Sequence, residues 1–359
     1  VRVHNFAAGP AALPIEVLER AQSELTDFNG LGMSVMEISH RSKNFVAVAS
    51  ESEALLRELL GVPEGYTVLF LQGGATGQFA AIPMNLTSPG ATVDYVNTGS
   101  WSKKAIAEAK KYADVRVIAD EKDSNYSTTP AAESLVLTEG AAYLHYTANE
   151  TIGGVEFPYV PDSGDVPLVA DFSSTIMSRP VDVSAFGLIY AGAQKNLGPS
   201  GITVVIVRDD LVGHARPETP SVLDYAAMAG ADSMLNTPPT FGWYLLGLNL
   251  QWIRDNGGLP GMEQRNERKA RTLYDAIDTL DFYSNPVEPA SRSWMNVPFL
   301  LADDSLDKEF LAQAGAAGLT NLSGHRSVGG MRASIYNATS QESVDALVSF
   351  LKEFERTHA

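Results

Sequence analysis

Seven short apolar runs between Tyr66 and Val207 constrain the fold more than any other feature of the chain. They read YTVLFLQ, ATVDYVN, VRVIAD, AAYLHYT, VPLVADF, GLIYAGAQ and GITVVIV. Each has the length of a strand rather than of a helix, and most lack polar–apolar alternation, as expected of strands covered on both faces. Helical patterns such as TGQFAAIPMNL and SKKAIAEAKKY come between them. Strands alternating with helices predict an α/β fold, with a mostly parallel sheet flanked by helices. The last two runs lie too close together for a crossover and suit an antiparallel hairpin.

The flanking segments complete a two-domain plan. VHNFAAGPAALP, near the start, is rich in Gly, Ala and Pro and reads as an irregular lead-in, followed by helical patterns over IEVLERAQSEL and NFVAVASESEALLRELLG, the second closed by Gly61. Beyond PPTFGWYLLGLNLQWIRDNGG, a long helix over MEQRNERKARTLYDAIDTL leads to FYSNPV, SWMNVPFLL, a helix from about Lys308, MRASIYN and the helix SQESVDALVSFLKEFERT. This reads as a smaller α+β C-terminal domain. The predicted division falls near Gly257, with a large domain over 16–257 and a small domain over 258–359 that includes segment 1–15.

Lys195 stands out chemically. It lies between two apolar runs, preceded by Gln194 and followed by Asn196, Gly198, Pro199 and Gly201. A strand-end lysine among small and turn-forming residues is poorly placed as a solvated charge and well placed as an amine that forms a Schiff base. About one βα or ββ unit upstream, VPLVADF brings Asp171 to the end of its own strand. That pair is what a pyridoxal-phosphate site needs: a carboxylate to keep the pyridinium nitrogen protonated and an amine to hold the aldehyde carbon. Gly73, Gly74, Ala75, Thr76 and Gly77 follow another strand and precede a helix, where small residues let backbone N–H groups approach a phosphate. Read alone, that loop suits a tight packing turn equally well. Trp101 follows the strand ATVDYVN, where an indole can stack on a flat ring, and Thr151 follows AAYLHYT, where its hydroxyl can bond a phenolic oxygen. Each also has a plain structural reading, as core aromatic or turn residue.

Charge points to the substrate. The formal net charge of −17 disfavours nucleic acid and anionic membranes as partners. Against that background, two His–Arg pairs occur, His40–Arg41 and His325–Arg326, with Arg332 close by. Guanidinium groups pair bidentately with carboxylate or phosphate, so together these residues suggest a doubly or triply anionic substrate; singly, each fits an ordinary salt bridge. The chain has no cysteine, which excludes disulfides and thiolate chemistry, and no His or carboxylate cluster suggests a metal. No run is apolar enough to span a bilayer, and the first residues lack a signal-peptide pattern, so a cytoplasmic protein is expected.

NFAAGPAALP, SVMEISHRS, FLQGGATGQFAAIPMNL, TGSWSKKA, HYTANETIGGVEF, ADFSS, YAGAQKNLGPSG, NTPPTF and SGHRSVGGMRASIYNA together resemble the phosphoserine aminotransferase family, over essentially the whole chain. The resemblance implies a fold-type I aminotransferase with pyridoxal 5'-phosphate as cofactor. It implies reversible amino transfer between O-phospho-L-serine plus 2-oxoglutarate and 3-phosphohydroxypyruvate plus L-glutamate, in serine biosynthesis. Lys195 would carry the cofactor, Asp171 pair with its ring nitrogen, Trp101 stack on the ring and Thr151 bond its phenolic oxygen. Ala75, Thr76 and Gln194 would hold the cofactor phosphate. Asn236 and Thr237 would reach that phosphate from the second subunit of a homodimer. Arg332 would grip the substrate α-carboxylate. His40 and Arg41, crossing the dimer, would join His325 and Arg326 around the distal phosphate or carboxylate. Some members carry arginine where this chain has Thr76, so here the cofactor phosphate would depend more on backbone N–H donors. An aminotransferase for an unphosphorylated substrate gives no reason for two His–Arg pairs. A nucleotide-binding α/β protein would use GGATG as its phosphate loop and carry no chromophore.

Overall fold

The computed structural model describes residues 2–358; Val1 and Ala359, which end the predicted division, lie outside the described residues. Seven strands form the central sheet: β1 (Tyr66–Leu71), β2 (Thr92–Asn97), β3 (Asp114–Asp120), β4 (Leu144–Thr147), β5 (Leu168–Asp171), β6 (Leu188–Gly192) and β7 (Thr203–Arg208). Their spatial order is β1-β7-β6-β5-β4-β2-β3. β7 runs antiparallel to both its neighbours, and the remaining pairs are parallel. The expected hairpin is therefore β6–β7, inserted so that β7 also pairs with β1.

Successive side chains of these strands enter different cores, which explains the unbroken apolar runs. Phe70, Tyr146, Ala170, Ile189 and Val204 pack on one face with Phe45, Leu56, Trp243 and Leu250. Leu69, Tyr95, Val169, Tyr190 and Val205 pack on the other with Phe79, Ile82 and Ile106. The helices supplying those partners include α2 (Lys43–Leu60), α3 (Gly74–Leu86), α4 (Ser100–Ala109) and α6 (Thr240–Asp255); α1 (Ile15–Glu24) and the short α5 (Tyr225–Ala229) complete this region. Gly61 closes α2 in the left-handed conformation, with φ 60°, as its position in the sequence predicts.

A separate core is built from Phe6, Leu273, Phe299, Ile335, Leu347 and Phe354. It joins α7 (Gly258–Thr279), α8 (Asp307–Ala316) and α9 (Gln341–His358) to an antiparallel sheet of β8 (Tyr283–Ser284), β9 (Asn296–Leu301) and β10 (Met331–Ser334). α7 starts at Gly258, four residues before the predicted Met262, because Pro260 is tolerated in a first helical turn. Its opening residues Leu259 and Met262 still belong to the first core. The two cores thus part within this helix. The lead-in segment is irregular except at His4–Asn5, which pairs in parallel with Leu319–Thr320.

A buried polar seam ties the second core to the chain around Lys195. Lys269, on α7, has no exposed surface and donates to the carbonyls of Ile335, Tyr336 and Thr339 at 2.9, 2.6 and 2.9 Å. Burial lowers its proton affinity. Three donated bonds nevertheless require the ammonium, since a neutral amine has only two N–H groups. The turn it holds carries Asn337, whose backbone N–H donates to Asn196 Oδ1 at 3.0 Å. Asn266 donates to Asn337 Oδ1 at 2.7 Å, and Asn249 to the Asn196 carbonyl at 2.7 Å. Lys269→Met would orphan three buried carbonyls. We expect it to lower the unfolding free energy by about 3 kcal/mol, seen as a lower urea midpoint; an unchanged midpoint contradicts the assignment.

Candidate active site

Lys195 follows β6 in a turn held by Ala193 N–H to the Ile202 carbonyl at 2.9 Å and Gly198 N–H to the Ala193 carbonyl at 2.7 Å. Its side chain enters a cavity of about 320 Å³ at the carboxyl ends of the strands, where α/β sheets bind ligands. The residue is 9% exposed. Its Nζ donates to Thr151 Oγ1 at 2.5 Å and lies 5.8 Å from the centre of the Trp101 ring. Burial lowers its pKa to about 8; Asp171 and Glu150 oppose the fall, and Arg332 adds to it.

Asp171 ends β5 beside Thr147 of β4 and Tyr190 of β6. Its Oδ1 accepts from Ser173 N–H at 2.9 Å. Burial raises its pKa, while hydrogen bonding from Ser173 and the Lys195 charge oppose the rise. Next to it, His145 Nε2 and the Tyr190 hydroxyl are 2.9 Å apart, and the imidazole stacks on Tyr95 at 4.5 Å. Burial pushes the His145 pKa down to about 3, so this ring is neutral and adds no cation behind the carboxylate.

The loop before α3 reaches the same cavity. Gly73 and Gly74 take φ values of 93° and 66°, which favour glycine. The first helical residues Gly74, Ala75 and Thr76, whose N–H groups have no partner within the helix, line the cavity together with Gln194. Several buried polar atoms on the cavity wall lack partners: Thr147 Oγ1, Asn149 Oδ1, Trp101 Nε1 and Arg332 Nε. An amine, a buried carboxylate, an anion cradle and orphaned polar atoms around one cavity fit a flat anionic aldehyde such as pyridoxal phosphate.

His325 and Arg332 also line the cavity, and Arg332 Nη1 approaches the Thr151 carbonyl at 3.4 Å. Burial lowers the pKa of both, and for His325 the nearby Arg332, Arg326 and Lys104 charges add to the effect. Arg326 is exposed on the adjoining loop and is not part of the wall. His40, Arg41, Asn236 and Thr237 are also absent from the wall within one chain. Arg41, Asn236 and Thr237 are exposed, while His40 is half-buried with its Nε2 unpartnered. Sequence reasoning missed Ser173, Lys104 and Glu150. The lone acid in HYTANETIGG was the only cue to Glu150.

The amine of Lys195 should titrate well below an ordinary lysine. In apoprotein, the rate at which a small amine-directed reagent labels Lys195 should level off just above pH 8. A rate still climbing towards the ordinary lysine value of about 10.4 contradicts the burial argument.

Comparison with known proteins reaches the same chemistry independently. The family model described as aminotransferase class-V matches residues 3–347. A phosphoserine aminotransferase of Pseudomonas aeruginosa is 58% identical over 357 residues, covering 99% of each chain. That of Hahella chejuensis is 59% identical over 358 residues, covering 100% of this chain and 99% of its own. Among solved structures, phosphoserine aminotransferase from Bacillus circulans subsp. alkalophilus has a TM-score of 0.98 at 53% identity, covering 100% of this chain and 99% of that one. The pyridoxal-phosphate-bound phosphoserine aminotransferase from Trichomonas vaginalis has a TM-score of 0.93 at 42% identity, covering 98% and 100%. With near-complete coverage on both sides and a lysine–aspartate cavity in place, the chain belongs to the phosphoserine aminotransferases of the class-V aminotransferase family.

Proposed function

We propose that the cavity around Lys195 is where this pyridoxal-phosphate-dependent transaminase exchanges an amino group between L-glutamate and 3-phosphohydroxypyruvate, giving 2-oxoglutarate and O-phospho-L-serine for serine biosynthesis. The observation that carries the site assignment is the placement of the Lys195 amine, buried and held by Thr151 between Trp101 and the strand end bearing Asp171. When bound, the cofactor supplies an electron sink that allows a Cα–H bond to break heterolytically.

The chain's own groups do the rest. Nζ of Lys195 holds the cofactor between turnovers. During turnover it takes the proton from the substrate Cα, and a lowered pKa leaves enough free base for that near neutrality. Asp171 would hold the ring nitrogen, Trp101 would cover the ring face, and Thr151 would donate to the phenolic oxygen. Ala75, Thr76 and Gln194 hold the phosphate at the start of α3. Arg332 pairs with the α-carboxylate common to all four substrates.

The distal phosphate or carboxylate is recognised by His325 and Arg326 of one chain with His40 and Arg41 of the second, in a homodimer whose Asn236 and Thr237 complete the neighbouring cofactor site. Exposed apolar side chains on the same segments support a dimer contact there: Leu31, Met33, Met36 and Val46 around His40–Arg41, and Leu235 beside Asn236. The reading also carries a division into a cofactor-binding domain and a smaller C-terminal domain at Gly257, and a cytoplasmic setting.

Lys195→Ala should abolish turnover. Arg41→Ala and Arg326→Ala should each reduce kcat/KM for O-phospho-L-serine by about 100-fold, the loss expected for a paired charge, with little effect on L-alanine. Equal losses for both amino acids would remove the phosphate-pocket assignment. Subunit mixing tests the shared site: Lys195→Ala and Arg41→Ala chains, re-dimerised together, should regain activity, because one site of the hybrid is intact. No recovery would place Arg41 in its own chain's site or outside both.

A further inference from the structure

Glu150 is a second buried carboxylate next to the Lys195 cavity, and amino transfer as described makes no use of it. It has no exposed surface. It sits in a short hairpin, Asn149–Glu150 against Val155–Glu156, immediately before Thr151. Its Oε2 accepts from Trp101 N–H at 2.9 Å, and its Oε1 from Ser102 N–H and the Ser102 hydroxyl, each at 2.8 Å. These are the first N–H groups of α4, whose positive end favours a carboxylate.

The N-cap residue supplies no capping side chain, and the helix's own Ser102 hydroxyl accepts from the Thr98 and Gly99 N–H groups that precede the helix. Gly99 stands at the N-cap, and a Cβ there would lie 2.7 Å from Glu150 Cδ. Glycine at that position is therefore what lets a carboxylate from another part of the chain cap the helix. Burial and the Asp171 charge raise the Glu150 pKa, and the bonds donated by Trp101 and Ser102 oppose that rise in favour of the ionised carboxylate. The group thus clamps the backbone of Trp101 on one side and directly precedes Thr151 on the other. Both residues flank the Lys195 amine.

We propose that Glu150 is a positioning residue that fixes Trp101 and Thr151 relative to each other on the two sides of the Lys195 amine. Its negative charge, held close to that amine by the same bonds, also has an electrostatic role there. The inference rests on reading Lys195 as the cofactor-binding amine. The charges facing that nitrogen are Asp171 from β5, Glu150 from the hairpin and Arg332 from β10, with His325 and Lys104 further out on the same cavity wall. Burial and Arg332 favour the neutral nitrogen, and the two carboxylates favour the protonated one. Removing one carboxylate while keeping Arg332 must lower the pH at which the proton leaves.

Glu150→Gln keeps the shape and removes the charge; Glu150→Asp keeps the charge and shortens the reach. The pyridoxal-phosphate-loaded proteins, without substrate, are titrated by absorbance, and the circular dichroism of the bound chromophore is recorded. Borohydride reduction followed by peptide mapping checks the attachment at Lys195. Glu150→Gln should move the titration midpoint down by about one pH unit. Glu150→Asp should keep the wild-type midpoint and weaken the dichroism as Trp101 loosens. A Glu150→Gln midpoint equal to wild type overturns the electrostatic role, and wild-type dichroism in Glu150→Asp overturns the positioning role. The Asp variant decides the positioning claim even if the Gln variant does not fold. Wild-type protein that yields no reduced adduct at Lys195 would instead overturn the functional reading.

Discussion

A primary amine that is to carry a cofactor must be dry enough to lose its proton near neutrality yet open to a cavity. Burial, with a smaller contribution from the Arg332 charge, lowers the proton affinity of Lys195, and Asp171 and Glu150 limit the fall. Removing this amine from water is tolerable only because Thr151 accepts its hydrogen bond and two carboxylates lie nearby. Those groups come from different strand ends and loops, so the amine's environment depends on the sheet order that brings β4, β5 and β6 side by side.

The second core serves the same site through backbone turns. Lys269 uses its three donated bonds to hold the turn after β10, and Asn337 of that turn bonds the residue after Lys195. Tyr336 from the same turn donates to the Ala8 carbonyl at 2.7 Å and accepts from Asn296, which in turn accepts from Asn149 at 2.9 Å. The lead-in segment, β9, β10 and the Glu150 hairpin thus share one buried hydrogen-bonded seam. Groups in such a seam keep their places because any departure leaves a buried donor or acceptor unpaired. Arg332, on β10, inherits its position over the cavity from this arrangement.

What the sequence revealed and what it hid follow from the range of each interaction. The central strands are legible because a strand buried on both faces must be apolar along its length. Lys195 and Asp171 are legible because a charge at the end of such a strand has few structural uses. The Glu150 cap was not legible: it joins residues about fifty positions apart, and a lone glutamate beside a threonine looks like any turn. The short pairing of His4–Asn5 with Leu319–Thr320 was hidden for the same reason, since two residues carry no periodicity. Arg326 and Arg332 look equivalent in sequence. They part because Gly329 and Gly330, with φ of 78° and 60°, turn the chain between them, leaving Arg326 exposed and Arg332 on the cavity wall.

In the proposed reading, one cavity joins a cofactor-bearing lysine to a pocket for a phosphorylated tail. The most direct measurement is the visible spectrum of the pyridoxal-phosphate-loaded protein during titration with O-phospho-L-serine, then with L-serine and L-alanine. O-phospho-L-serine should convert the yellow band to the amine form of the cofactor at far lower concentration than the other two. Equal response to all three would keep the lysine and contradict the phosphate pocket. A protein that cannot be loaded to a yellow form would contradict the claim as a whole.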